Sequence, residues 1–61
     1  MMIKELLCYI PEHTKIRIIQ DSKCLYAGEY HFESNLHLKY YNDKVGMINV
    51  NAEGYLCITL I

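Results

Sequence analysis

Ile3, Leu6, Leu7 and Ile10 recur at the spacing of one helical face, with Lys4 and Glu5 on the other side. Pro11 ends this helix, because the residue before a proline is pushed out of the α region. So short a helix is stable only when packed against something, and a sheet is the expected support. Residues 14–19 follow, with Ile16 and Ile18 alternating with Lys15 and Arg17 in a β-branched run that predicts a half-buried strand. Asp21, Ser22 and Lys23 make a turn, and residues 24–30 return as a second strand in which Gly28 marks a bulge or a close backbone approach.

Residues 31–43 carry the weakest pattern. Glu33, Ser34 and Asn35 are turn-like, and the stretch from Leu36 to Tyr41 fits either a short strand or one helical turn, with the alternation of Leu36 and Leu38 favouring strand. Two further strands, 45–50 and 55–61, flank a loop of Asn51, Ala52, Glu53 and Gly54, whose late glycine is the chemistry of a hairpin connection. Ile48, Val50, Leu56, Ile58 and Leu60 give this hairpin one apolar face. Met47, Asn49, Tyr55, Cys57 and Thr59 give it a second face that is half apolar as well. The expected fold is therefore α+β: a short N-terminal helix packed on a small antiparallel sheet of about four strands, arranged as two β-hairpins. A sheet apolar on both faces needs two covers, of which the helix is one and a second subunit the natural other. The last strand stops at Ile61 with no charged tail, which predicts either an uncapped apolar edge open to another chain or a residue tucked under the sheet.

Length sharpens this expectation. Sixty-one residues make one domain, 1–61, and a chain of this size buries only about 60% of its unfolded surface. Disulfides, a metal or association are the usual remedies. The three cysteines, Cys8, Cys24 and Cys57, are odd in number and distant in sequence, so they are expected as free, buried thiols. His13, His31 and His37 show no zinc-ligand spacing with them, and no metal or cofactor is expected. Association remains. The chain is 52% hydrophobic, and its six tyrosines suit surfaces that are wet in one state and covered in another. A homo-oligomer, dimer or tetramer, is expected.

The net charge of −1 and the absence of a Lys/Arg run argue against duplex DNA. No apolar run approaches the roughly 18 residues of a membrane span. The start, with an acid at Glu5 and no long apolar core, predicts no signal peptide and a reducing cytoplasm. No nucleophile stands beside an oriented base, no carboxylate pair is evident, and no phosphate-binding glycine loop occurs, so the chain is read as non-catalytic.

The frame Ile10-Pro11-Glu12-x-Thr14-Lys15-Ile16-Arg17-Ile18, then Leu25-Tyr26-x-Gly28-Glu29, Val45, Ile48-x-Val50 and Leu56-x-Ile58 resembles very short proteins of phages and prophage-like elements of Firmicutes. These shared residues serve packing and turns, and residues 31–43 lie outside the resemblance. Small phage proteins of this kind include anti-CRISPR proteins and sponges that sequester nucleotide immune signals as symmetric oligomers. The resemblance thus implies an anti-defence factor in the host cytoplasm. Its partner is a small anionic nucleotide or, alternatively, a host immune protein that it inhibits; a structural accessory protein with no ligand is the third reading.

Two constellations are candidate ligand sites. Lys15 and Arg17 share one strand face, and Tyr26 and Tyr30, alternate residues of the neighbouring strand, are expected beside them. A cation next to an aromatic ring suits a phosphate with an attached base. The plainer alternative is a solvated strand face with tyrosines covering a lysine stem. The second constellation is His37, Lys39, Tyr40 and Tyr41, which serve either a binding loop or an interface core.

Overall fold

The computed structural model describes residues 1–40 and 42–61, with His37 by its backbone alone. Helix α1 (Ile3–Leu7) leads into strands β1 (Lys15–Gln20) and β2 (Lys23–Glu29). A 3₁₀ turn (Phe32–Ser34) and helix α2 (Leu36–Lys39) connect these to β3 (Val45–Val50) and β4 (Leu56–Leu60). The stretch from Leu36 is therefore one helical turn rather than the strand its alternation favours. Leu36 and Tyr40 lie four apart, and both are buried in the core, which is the helical spacing.

Both expected hairpins form, but the sheet order is β2-β1-β4-β3 and the central pair, β1 with β4, is parallel. The expectation of a purely antiparallel sheet is corrected: the sheet is mixed. The physical reason is burial. Ile16 and Ile18 on β1 and Ile58 on β4 are fully buried and Leu60 nearly so, so the two most apolar strands meet in the middle. For the same reason β4 is an inner strand, and Ile61 does not end an open sheet edge. Its N–H donates to Lys44 C=O at 2.9 Å, and its own C=O accepts from Gln20 Nε2 at 3.1 Å. The side chain of Ile61 is nonetheless exposed, so it is not tucked beneath the sheet either.

The helices cover one face only. Ile3, Leu7 and Ile10 from the first segment and Leu36 and Tyr40 from the second close over Ile16, Ile18, Ile58 and Leu60, joined by Tyr30. Met2 N–H donates to Glu5 Oε1 at 3.1 Å, a reciprocal half of an N-terminal capping box. The chain start is also tied to the approach to β3, with Ile3 N–H bonded to Asp43 C=O at 3.0 Å and Val45 N–H to Met1 C=O at 2.8 Å. This cover stops short of β3. Ile48 and Val50 share a face with Ile58 and Leu56 through direct pairing, yet they remain 42% and 65% exposed.

The connection between β1 and β2 is a two-residue turn with both central residues left-handed, Asp21 at φ 52° and Ser22 at φ 64°. This is the geometry that matches strand twist, here built without the usual glycine. Three residues past Ser22, the register slips between Ile18 and Ile19, and Leu25 is the extra residue of a bulge. Gly28 is neither the bulge nor a close approach; its backbone conformation is what calls for glycine. At φ 150° it pairs with Ile16, and a Cβ there would lie 3.7 Å from Tyr26 Oη. The Tyr26 hydroxyl donates to Glu29 C=O at 2.6 Å, so its ring lies over the space the glycine leaves.

Two outcomes are expected. Ser22→Gly relieves a left-handed serine and should stabilise the chain by about 0.5–1 kcal/mol in urea unfolding. Burial first, then the charges of Cys8 and Glu12, holds the Tyr30 phenol above its ordinary value. Because its folded value is raised, the associated stability is complete below the unfolded phenol range and is lost as pH climbs through the folded value. Urea midpoints should therefore fall on the alkaline side, above about pH 10, and Tyr30→Phe should flatten that decline while changing neutral stability little.

Candidate functional site

The face of the sheet away from the helices has no covering layer among the described residues. β1 contributes Lys15, Arg17 and Ile19 to it, and the parallel register sets Arg17 beside Cys57 and Ile19 beside Thr59. Asn49 and Met47 continue the surface from β3, opposite Cys57 and Thr59. The second face read from the hairpin pattern is therefore present and open.

Lys15 and Arg17 do lie on one face, as expected, but their aromatic neighbour is Tyr55. The Lys15 Nζ is 5.9 Å and the Arg17 guanidinium carbon 5.1 Å from the centre of the Tyr55 ring. Both distances are within cation–π range. Tyr26 pairs with Ile18 and so belongs to the opposite, core side of the sheet, and Tyr30 is buried within the core. The bulge at Leu25 is the reason: it moves the partner residues by one and turns both tyrosines inward. Tyr55 is held in place by the hairpin loop. Asn51 Oδ1 accepts from Glu53 N–H and Tyr55 N–H, each at 3.0 Å, and Asn51 N–H donates to Tyr55 C=O at 3.0 Å.

Arg17 carries an unmet requirement. Its Nε is shut off from solvent and has no hydrogen-bond partner among the described residues. A buried donor without an acceptor costs about 1–3 kcal/mol.

A second group extends the same face toward the open end of the β1–β2 hairpin. Glu29 pairs directly with Lys15, and beyond this pair His13 comes opposite His31. His13 Nδ1 is 3.1 Å from Glu29 Oε1, and His31 Nε2 is 3.8 Å from the same oxygen. The two imidazoles meet edge to face with centroids 5.0 Å apart. Weighing the histidines only against the cysteines overlooked Glu29 as their common partner. The signal was in the hairpin itself, in a strand end flanked by histidine on either side of the turn.

Of the second expected constellation, the side chains of Lys39 and Tyr40 are among those described. Lys39 and Tyr40 adjoin, with the Lys39 Nζ 5.6 Å from the Tyr40 ring centre, but the ring is buried in the core. His37 sits in α2, its side chain outside the described atoms, and Tyr41 lies outside the described residues. The cysteines are free, but the expectation that they are buried holds for Cys57 alone; Cys8 and Cys24 are exposed. Among the described residues no helix is long and apolar enough to cross a membrane. No protein-family model matches this sequence, and neither a curated protein nor a solved structure shows significant similarity to it.

Asn51→Ala removes both bonds that shape the loop. It is expected to cost about 1–2 kcal/mol in unfolding free energy and to speed hydrogen exchange at the Tyr55 amide, with exchange at the β1–β2 turn unchanged.

Proposed function

We propose that this protein is a non-catalytic binding protein, an oligomer that sequesters a small anionic nucleotide on the open face of its sheet. The observation that carries the reading is the grouping of Lys15, Arg17 and Tyr55 on an uncovered surface, with the Arg17 Nε lacking an acceptor. Two cations meet a phosphate group, and the aromatic ring between them offers stacking surface to a base. The resemblance to short phage proteins supports placing this activity in the host cytoplasm as an anti-defence sponge.

The half-apolar open face and the exposed flank of β3 support the oligomeric part of the reading. Met47, Ile48 and Val50 are all large, apolar and exposed on β3, whose outer side bonds to the chain start at Val45 and pairs with no further strand among the described residues. The same flank favours a second reading, inhibition of a host immune protein through direct contact, since apolar surface on a free strand edge suits strand addition.

Calorimetry against a panel of cyclic and linear nucleotides, with native mass spectrometry of the purified chain, tests the first reading. The expected result is saturable binding by an oligomer, weakened by about tenfold or more in Arg17→Ala and in Tyr55→Ala. Failure of the unaltered chain to bind any nucleotide sinks it. So does binding that Arg17→Ala leaves intact.

A further inference from the structure

We infer that His13, Glu29 and His31 form a binding site for a divalent transition metal, with zinc as the best-fitting ion. The three donor atoms lie within 4.8 Å of one another. Two neutral imidazole nitrogens and one carboxylate oxygen are a donor set for zinc, cobalt and nickel rather than for calcium or magnesium, which take oxygen ligands. Bonds of about 2.0 Å at tetrahedral angles separate the ligand atoms by about 3.3 Å. The separations of 3.1 Å and 3.8 Å at Glu29 Oε1 bracket that value, and the two imidazole nitrogens lie within 4.8 Å, so side-chain rotation that draws the rings together closes the set around an ion.

The donors stand on backbone that is already pinned. His13 adopts a left-handed conformation, φ 69°, and its N–H donates to Tyr30 C=O at 2.8 Å, while Tyr30 N–H returns a bond to Thr14 C=O at 2.8 Å. Glu29 ends β2, and its carbonyl accepts the Tyr26 hydroxyl at 2.6 Å. The carbonyl of His31 accepts from both Ser34 N–H at 3.0 Å and Ser34 Oγ at 2.6 Å at the start of the 3₁₀ turn. Binding therefore orders three side chains rather than a loop, which keeps its entropic cost low.

The side chains of His13, Glu29 and His31 are 69%, 51% and 45% exposed, so an ion reaches them directly from solvent. With three protein ligands, a fourth position stays open to water or to an anion. That position lies on the same face as Lys15, which pairs with Glu29. The metal site stands on its own geometry and does not depend on the nucleotide reading.

Zinc chloride and cobalt chloride titrations of the tag-free, chelator-treated chain test the assignment, because the exposed Cys8 and Cys24 are the competing ligands. The expected result is one zinc per chain. Affinity should fall about tenfold or more in Glu29→Gln and in His31→Ala and remain unchanged in a Cys8→Ser, Cys24→Ser double variant. The cobalt complex should lack a thiolate-to-metal charge-transfer band. In the unaltered chain, the imidazole resonances of His13 and His31 should move together as zinc is added. Overturning results are no zinc uptake, imidazole resonances that stay still, uptake that Glu29→Gln and His31→Ala do not weaken, or uptake lost in the cysteine variant.

Discussion

Ile16 and Ile18 on one inner strand lie alongside Ile58 and Leu60 on the other, and the rest of the molecule is arranged to keep water off that seam. A chain of 61 residues has little else with which to build an interior. Two very short helices and two core tyrosines close over it, and among the described residues no layer covers the reverse side. The two-layer architecture thus follows from how short the chain is. What the helices leave bare is where the cations, the histidines and the unsatisfied arginine nitrogen collect.

That reverse side is organised by register. Parallel pairing brings Tyr55 level with Lys15, and antiparallel pairing on the other flank brings Glu29 level with the same lysine. One strand, β1, therefore joins an aromatic–cation cluster contributed by the second hairpin to a His–Glu–His cluster contributed by the first. The two groups come from distant parts of the chain, yet they occupy adjoining rows of one surface.

The local elements were legible because each has a period of its own: α1 in the spacing of Ile3, Leu7 and Ile10, β1 in the alternation of Ile16 and Ile18, and both hairpins in their turn residues. How the hairpins meet was not, since alternation marks which residues are buried and says nothing of strand direction. Hence the antiparallel sheet was expected and a mixed one found. The site failed at a finer scale. Lys15 and Arg17 were found from alternation alone, but their partners depended on Leu25, a single extra residue no pattern announces. Without that bulge His13 would face Tyr30 rather than His31, and Tyr26 would stand on the face of Lys15. From Leu36 the pattern left a strand and a helical turn both open, because four residues are too few to separate a period of two from one of 3.6.

The two outer strands differ in a way that bears on how copies of this chain can add to one another. β2 is guarded: it is bulged at Leu25 and carries Lys23 and Glu29 exposed at its ends, devices that discourage strand addition. β3 is bulged as well, at Gly46, and its first residue bonds to Met1 C=O, but it has no charged residue and shows Met47, Ile48 and Val50 to solvent. Two molecules meeting bare strand to bare strand about a two-fold axis leave only guarded strands outward, and growth halts at a pair. Head-to-tail joining, β3 onto β2, has no such stop and runs on into a fibre. The two flanks thus differ in the resistance each offers to a joining strand.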